Sequence, residues 1–238
     1  TAMTDYWRAL ALPYEASMAV LGGDIYVKKA TLEYHASAQL EDLLDIGLRC
    51  ARVGNSSLLL QAGIFRGEQL LVSGELVYVF ADPATQTSRP VPEALRAIFA
   101  AYEAGDAMAH AHCGAWDALG PDAARVRHAV FIQEQGIPAD IEVDELDATA
   151  VHVVLRNRLG MPVATGRLLQ HAPGEGRIGR MAVERALRGG GWGRQVLRAL
   201  EDAARARGDQ RVLLHAQVQA RAFYERAGYH IHGEPWME

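Results

Sequence analysis

At 238 residues the chain has room for one large domain or two smaller ones, and half its residues are hydrophobic, which supports a buried core. The net charge of −5 divides into 8 basic against 14 acidic residues over 1–117 and 16 against 15 over 118–238, so neither half has the basic excess of a nucleic-acid binder. No apolar run approaches the ~18 residues of a membrane span, no secretory leader opens the chain, and Cys50 and Cys113 form no CxxC pair, so the expectation is a reduced, cytoplasmic, soluble protein without metal.

"TDYWRALALPYEASM" places Tyr6, Trp7, Leu10 and Leu12 at helical spacing until Pro13 interrupts. Four strand-like runs follow: "IYVKKATLEYH", "LLDIGLRCARVG", "SLLLQAGIFRG" and "EQLLVSGELVYVFAD". Their short connections, "GNSS" and "RGEQ", predict an antiparallel meander, which "PEALRAIFAAYEAG" closes as a helix opened by proline and ended by glycine. From about Gly105 the composition shifts to small residues and histidines, with a break expected at "ALGPD". "PDAARVRHAVFIQEQGIP" then predicts a helix with Val126, Val130 and Phe131 on one side. A hairpin over "AVHVVLRNRLGMPVATGRLLQ" precedes the strand "GRIGRMAV", the loop "RGGGWG" and the helix "RQVLRALEDAARARG". "RVLLHAQV" reads as a strand, "QARAFYERAG" as a short helix and "YHIHGEPW" as a last strand.

The stretch "RGGGWGRQVL" carries the chemistry. A strand, a glycine loop and a helix together bind phosphate well, because the first amides of a helix lack intrahelical partners and the helix dipole favours negative charge there. Glycines admit positive φ and close approach, and Arg188 and Arg194 flank the loop. A P-loop needs Gly-Lys-Ser/Thr, and no lysine lies in this half; GxGxxG fails at Val196. The spacing present is Arg188-x-x-Gly191-x-Gly193, after a strand ending Met181-Ala182-Val183.

In that spacing, and in the order "IGRMAVERALRGGGWGRQVLRAL", "LLHAQ", "ARAFYERAGY", residues 112–238 resemble the GNAT acyltransferases. The resemblance implies acetyl-CoA as acyl-donor substrate, with no metal. Met181, Ala182 and Val183 would offer backbone to pantetheine, while Arg188, Gly189, Gly190, Gly191, Trp192, Gly193 and Arg194 would surround the pyrophosphate. It also implies a polar contact from Gln217, and Tyr224 as the acid that protonates the departing thiolate. The alternative for Tyr224 is a core ring whose hydroxyl finds a local acceptor, and the acid role is preferred. For the base, Glu134, Asp144, Glu145, His152 and His215 stand open; in His215, within an apolar strand, a core histidine is favoured over a base.

Residues 3–103 resemble the acyl-CoA thioesterases of the hot-dog fold, in strand order, in the "GNSS" turn and in "VYVFAD…PVPEALR". That family's catalytic carboxylate precedes the central helix, inside which this chain begins by the resemblance; Asp5 reads as a cap. His35 reads as packing at a strand end, Ser56 and Ser57 as turn residues, and Glu41 and Asp42 as solvent-facing. The fold class expected is α+β: a hot-dog domain, an antiparallel sheet around a central helix, over 1–104, and a mixed α/β GNAT domain over 105–238. The expected function is transfer of an acetyl group from acetyl-CoA to a small-molecule or peptide amine, by a homodimer paired through the hot-dog domain. Two other readings stand beside it, a thioesterase with an accessory GNAT domain and a CoA-responsive binding protein.

Overall fold

A computed structural model describes residues 1–232. The chain divides into two compact units. The first comprises Thr1–His110, Arg156–Val163 and Glu184–Gly190; the second comprises Ala111–Leu155, Ala164–Val183 and the chain from Gly191 on. Among the described residues no helix is long and apolar enough to cross a membrane.

The first unit opens with α1 (Ala2–Ala9), capped by the Thr1 hydroxyl, which accepts from Thr4 N. Asp5 is not that cap; it sits in the first turn and pairs with Arg8. Pro13 ends the helical path and caps α2 (Tyr14–Leu21), which Gly22 closes at φ +70°. Strands β1 (Asp24–Tyr34), β2 (Asp45–Val53), β3 (Ser57–Arg66) and β4 (Gln69–Ala81) form an antiparallel sheet, and α3 (Glu93–Glu103) follows. The sheet is not a plain meander. Its order is β1-β4-β3-β2, because β4, at 13 residues the longest strand, takes a partner on each edge.

Leu58, Leu60 and Phe80 of the sheet are buried, as are Trp7 and Leu10 of the first helical segment and Leu95, Ile98 and Phe99 of α3. Tyr6 and Trp7 each lie about 6 Å from the Phe99 ring. Glu103 ties three elements together by accepting from Tyr6 Oη and from Cys50 N. Burial, with Glu103 nearby, pushes the Cys50 thiol up to about 11 and the Tyr6 phenol well above its ordinary range.

The second sheet runs in the order β5-β6-β7-β8-β9: β5 (Ala109–Gly114), β6 (Val151–Asn157), β7 (Pro162–Ala172), β8 (Glu175–Val183) and β9 (Arg211–Leu214). The break expected at "ALGPD" does not occur: α4 spans Trp116–Arg127, straight through Pro121. An interior proline costs about 3 kcal/mol. Packing outweighs it, since Leu119, Ala123 and Val154 bury together against Trp116. Gly120 suits the site, where a Cβ would lie 2.8 Å from the Trp116 ring. A π-helical segment (His128–Glu134), a one-turn α5 (Ala139–Glu142) and a 3-10 turn (Glu145–Thr149) lead to β6. Val126, Val130 and Phe131 do share one apolar cluster, as their spacing predicts.

The helix α6 (Trp192–Arg207) connects β8 to β9, which pair in parallel, as strands joined by a crossover helix do. Its buried stripe is Val196, Leu197, Leu200 and Ala204, and Gly208 ends it at φ +94°. It lies close on the sheet: a Cβ at Gly166 of β7 would meet Leu200 Cδ1 at 2.7 Å and Val196 Cγ1 at 2.9 Å. A 3-10 turn (Val218–Ala220) and α7 (Arg221–Arg226) follow. Residues 229–232 carry no strand, and the rest of the strand expected over "YHIHGEPW" lies outside the described residues.

Candidate functional site

Where β8 parts from β9, the sheet opens. The parallel pairing covers only Glu175–Ile178 against Arg211–Leu214, so the remainder of β8, with Met181, Ala182 and Val183, runs on past the end of β9. On its other edge β8 stays paired with β7, but with a slip: Thr165 faces Ala182 and Arg167 faces Gly179. The extra residue makes a bulge, and within it Arg180 takes φ +50°. For a side chain other than glycine, the left-handed region costs on the order of 1–3 kcal/mol.

After Val183 the chain makes a short 3-10 turn, Arg185–Leu187, and enters the glycine loop. Gly189 has φ +87° and Gly191 φ +86°, so at both positions the backbone itself calls for glycine. Gly191 caps α6, its carbonyl accepting from Arg194 N and Gln195 N, and the space where its Cβ would stand is open. Gly193 has a different reason to be small. A Cβ there would lie 3.4 Å from Val183 Cγ2 and 3.5 Å from Phe223 Cζ, so the end of β8, the start of α6 and α7 converge on it. Trp192 is buried, which assigns its ring to the core, whereas Arg188 and Arg194 are exposed.

Phe223 of α7 is the residue packed over Gly193, and Tyr224 follows it on the same helix. The Tyr224 ring sits between Phe223 at 4.9 Å and Tyr229 at 5.9 Å, and burial raises its phenol above the ordinary value. Gln217 caps the 3-10 turn ahead of α7, is exposed, and donates to Gln135 Oε1 at 3.2 Å.

The geometry narrows the open question of the base. His152 is 1% exposed, with Nε2 2.9 Å from Asp147 O and its ring 4.9 Å from Trp116. Burial holds it below its ordinary value, so it is a neutral core histidine. Asp144 is spent on two arginines, Arg167 and Arg180. Burial alone would raise it, but those guanidiniums bring it below the usual carboxylate range, a poor state for taking a proton. His215 corrects the sequence reading in the other direction: β9 stops at Leu214, and the histidine is exposed just beyond it.

Sequence reasoning missed a buried ionic network beneath the bulge. Arg127, 1% exposed, bonds Glu142 and Asp147 and lies 5.5 Å from the Trp116 ring. Arg167 bridges Asp147 to Asp144, which also receives Arg180. The acids of "ADIEVDELD" read along the chain as a solvated face or an amine-attracting rim, but Glu142 and Asp147 are interior. The arginines that hydrogen-bond their carboxylates lie 15 and 20 residues away, beyond the reach of any local pattern.

In the first unit, His35 sits at the end of β1 with Nε2 2.8 Å from Ser73 Oγ, and Ser56 and Ser57 contribute backbone to the turn. Asp42 is not simply solvent-facing: it accepts from Gln39 N and pairs with Arg66.

Comparison with known proteins finds two families in the chain. The acetyltransferase (GNAT) family profile matches residues 122–229, and the thioesterase superfamily profile matches residues 1–73. The uncharacterized N-acetyltransferase YjcF of Bacillus subtilis is 38% identical over 48% of this chain and 79% of its own length. Among solved structures, a putative N-acetyltransferase from Lactobacillus plantarum aligns with TM-score 0.52 at 36% identity, covering 56% of this chain and 91% of its own. Escherichia coli ElaA aligns with TM-score 0.50 at 25% identity, over 55% and 93% of the two chains. The chain belongs to the GNAT acetyltransferase family through its C-terminal half, and its N-terminal part is a thioesterase-type hot-dog region.

Proposed function

We propose that this protein moves an acetyl group from acetyl-CoA to a small-molecule or peptide amine, with a GNAT domain over 105–238 preceded by a hot-dog domain over 1–104. The observation that carries the reading is the convergence at Gly193. Three segments to which the GNAT resemblance gives roles, the end of β8, the glycine loop and the helix that carries Tyr224, meet there. The left-handed glycines 189 and 191 and the flanking Arg188 and Arg194 suit the diphosphate at the start of the 16-residue α6. The edge of β8 beyond Ile178, through Met181, Ala182 and Val183, suits the amides of pantetheine, and Gln217 adds a polar rim.

In this reading the amine nitrogen attacks the thioester carbonyl, a C–N bond forms and the C–S bond breaks. The amine's proton leaves through a base or water, and the departing thiolate takes the Tyr224 proton, later replaced from solvent. The exposed apolar side chains Leu32, Tyr34 and Ile46 on β1 and β2 support a homodimer paired through the hot-dog sheet.

The test is calorimetry of acetyl-CoA binding together with thiol release, with and without a panel of amines. Gly191→Ala strains the φ +86° cap without filling any contact, and Gly191→Glu adds a carboxylate beside the diphosphate. The expected order of affinity is wild type, then Gly191→Ala, then Gly191→Glu, with Gly191→Glu near abolition and all three folded. Equal affinities would overturn the site, and amine-independent thiol release would overturn transfer in favour of hydrolysis.

A further inference from the structure

Arg180 presents an oddity of backbone and side chain together. In a strand that has glycine at 176 and 179, the one left-handed position is filled by arginine, although glycine would adopt φ +50° without strain. The side chain must therefore contribute something that glycine cannot. It reaches out of the bulge to three oxygens: Nε donates to Glu142 O at 3.1 Å, and Nη2 to Ile141 O at 3.0 Å and Asp144 Oδ2 at 3.2 Å. Those acceptors lie on α5 and on the start of the turn behind it.

The anchor is itself rigid. Asp144 and Asp147 form a capping box at the head of the 3-10 turn. Arg167 grips both Asp144 oxygens, and Arg127 clamps Glu142 and Asp147 from the other side. Three arginines and three carboxylates balance, so the cluster has no net charge to offer a ligand. Replacing such a network by apolar packing is often neutral or favourable, so it is weak evidence of a stability device. What it does is hold one geometry, and its 31%-exposed end is Arg180.

The geometry points to Arg180 as a positioning residue for acyl transfer: its tether to Asp144, Ile141 O and Glu142 O fixes the β8 bulge and so aims the backbone of 180–182 at the thioester carbonyl. This rests on the transferase reading above. The bulge begins two residues after the last β8–β9 pair, Ile178 with Leu214, which is where the strand edge becomes available. Donors that meet a developing oxyanion act only if they need no reorganisation, and a bulge without its tether would have to reorganise.

The experiment uses the full chain with Arg180→Gly, which accepts the backbone conformation but lacks the tether, Arg180→Lys, which keeps the charge but lacks the fork, and Asp144→Asn. Three quantities are read: affinity for CoA and acetyl-CoA by calorimetry, the infrared carbonyl stretch of bound [1-13C]acetyl-CoA, and kcat against KM for amine-dependent thiol release. The wild type is expected to lower the carbonyl stretch on binding. Arg180→Gly should lose that shift and about 10²-fold in kcat, the scale of one oxyanion donor, with CoA affinity and KM for acetyl-CoA within about twofold. Arg180→Lys should restore part of both, and Asp144→Asn should resemble Arg180→Gly. An unchanged carbonyl band and kcat in Arg180→Gly would sink the proposal alone. So would a parallel fall of CoA affinity, kcat and melting temperature, which would mark a purely structural tether. A wild type that binds no acetyl-CoA would instead overturn the transferase reading, and this proposal with it.

Discussion

Asp147 shows how the interior charge network couples to stability. Its side chain is 2% exposed and accepts from Arg127 Nη1 at 2.8 Å and Arg167 Nη1 at 2.8 Å. Burial alone would push the carboxyl up, but those two guanidiniums hold it down at about 2 against an ordinary 3.8. The folded value lies below the unfolded one, so the stabilisation is whole above pH ~4 and is lost as the pH falls from there toward 2. The gap corresponds to roughly 2–3 kcal/mol. Asp144, also lowered, adds in the same direction. Asp147→Asn removes the titration and strips counter-charge from two buried arginines, which should cost about 3–5 kcal/mol at neutral pH. Urea unfolding across this pH range, with hydrogen exchange followed on peptides from β7 and β8, measures both effects. The wild type should lose about 2–3 kcal/mol more than the variant between about pH 5 and pH 2. Parallel pH dependences in the two proteins would show that Asp147 does not carry this stabilisation.

Three further outcomes are expected. Gly166→Ala puts a methyl within 3.0 Å of Leu200, Val196 and Met181 and should lower stability by about 1–3 kcal/mol in a thermal melt; an unchanged midpoint would mean that α6 yields freely. His152, held low by burial, should titrate below an unfolded histidine, so its contribution to stability is present above the unfolded value near 6.5 and is lost as the pH falls below it. Ring-nitrogen NMR shifts showing it to titrate at or above that unfolded value would contradict its place in the core. Tyr224→Phe should reduce kcat by about 10²-fold or more while leaving acetyl-CoA affinity within about twofold; equal turnover would remove the acid role.

Most of the elements are legible in the residues alone, because periodicity and chain punctuation are local. Gly208 ends α6, Pro13 splits the first helical segment, and the alternation over Ile46, Leu48 and Cys50 is that of β2. The glycine loop is legible as well, since positive φ at 189 and 191 leaves its mark on residue choice. Pro121 was misleading for the same reason: a local breaker is overruled when Trp116, Leu119 and Ala123 bury together.

Which charges are interior and which strand lies beside which follow from contacts between distant segments. Nothing in "ADIEVDELD" marks Glu142 and Asp147 as buried, because their partners come from α4 and β7. Neither the placement of β1 next to β4 nor the left-handed turn at Arg180 is written in neighbouring residues. Both are set by pairing and hydrogen bonds between segments far apart in the chain, where the free energy of burial, rather than local preference, selects the conformation.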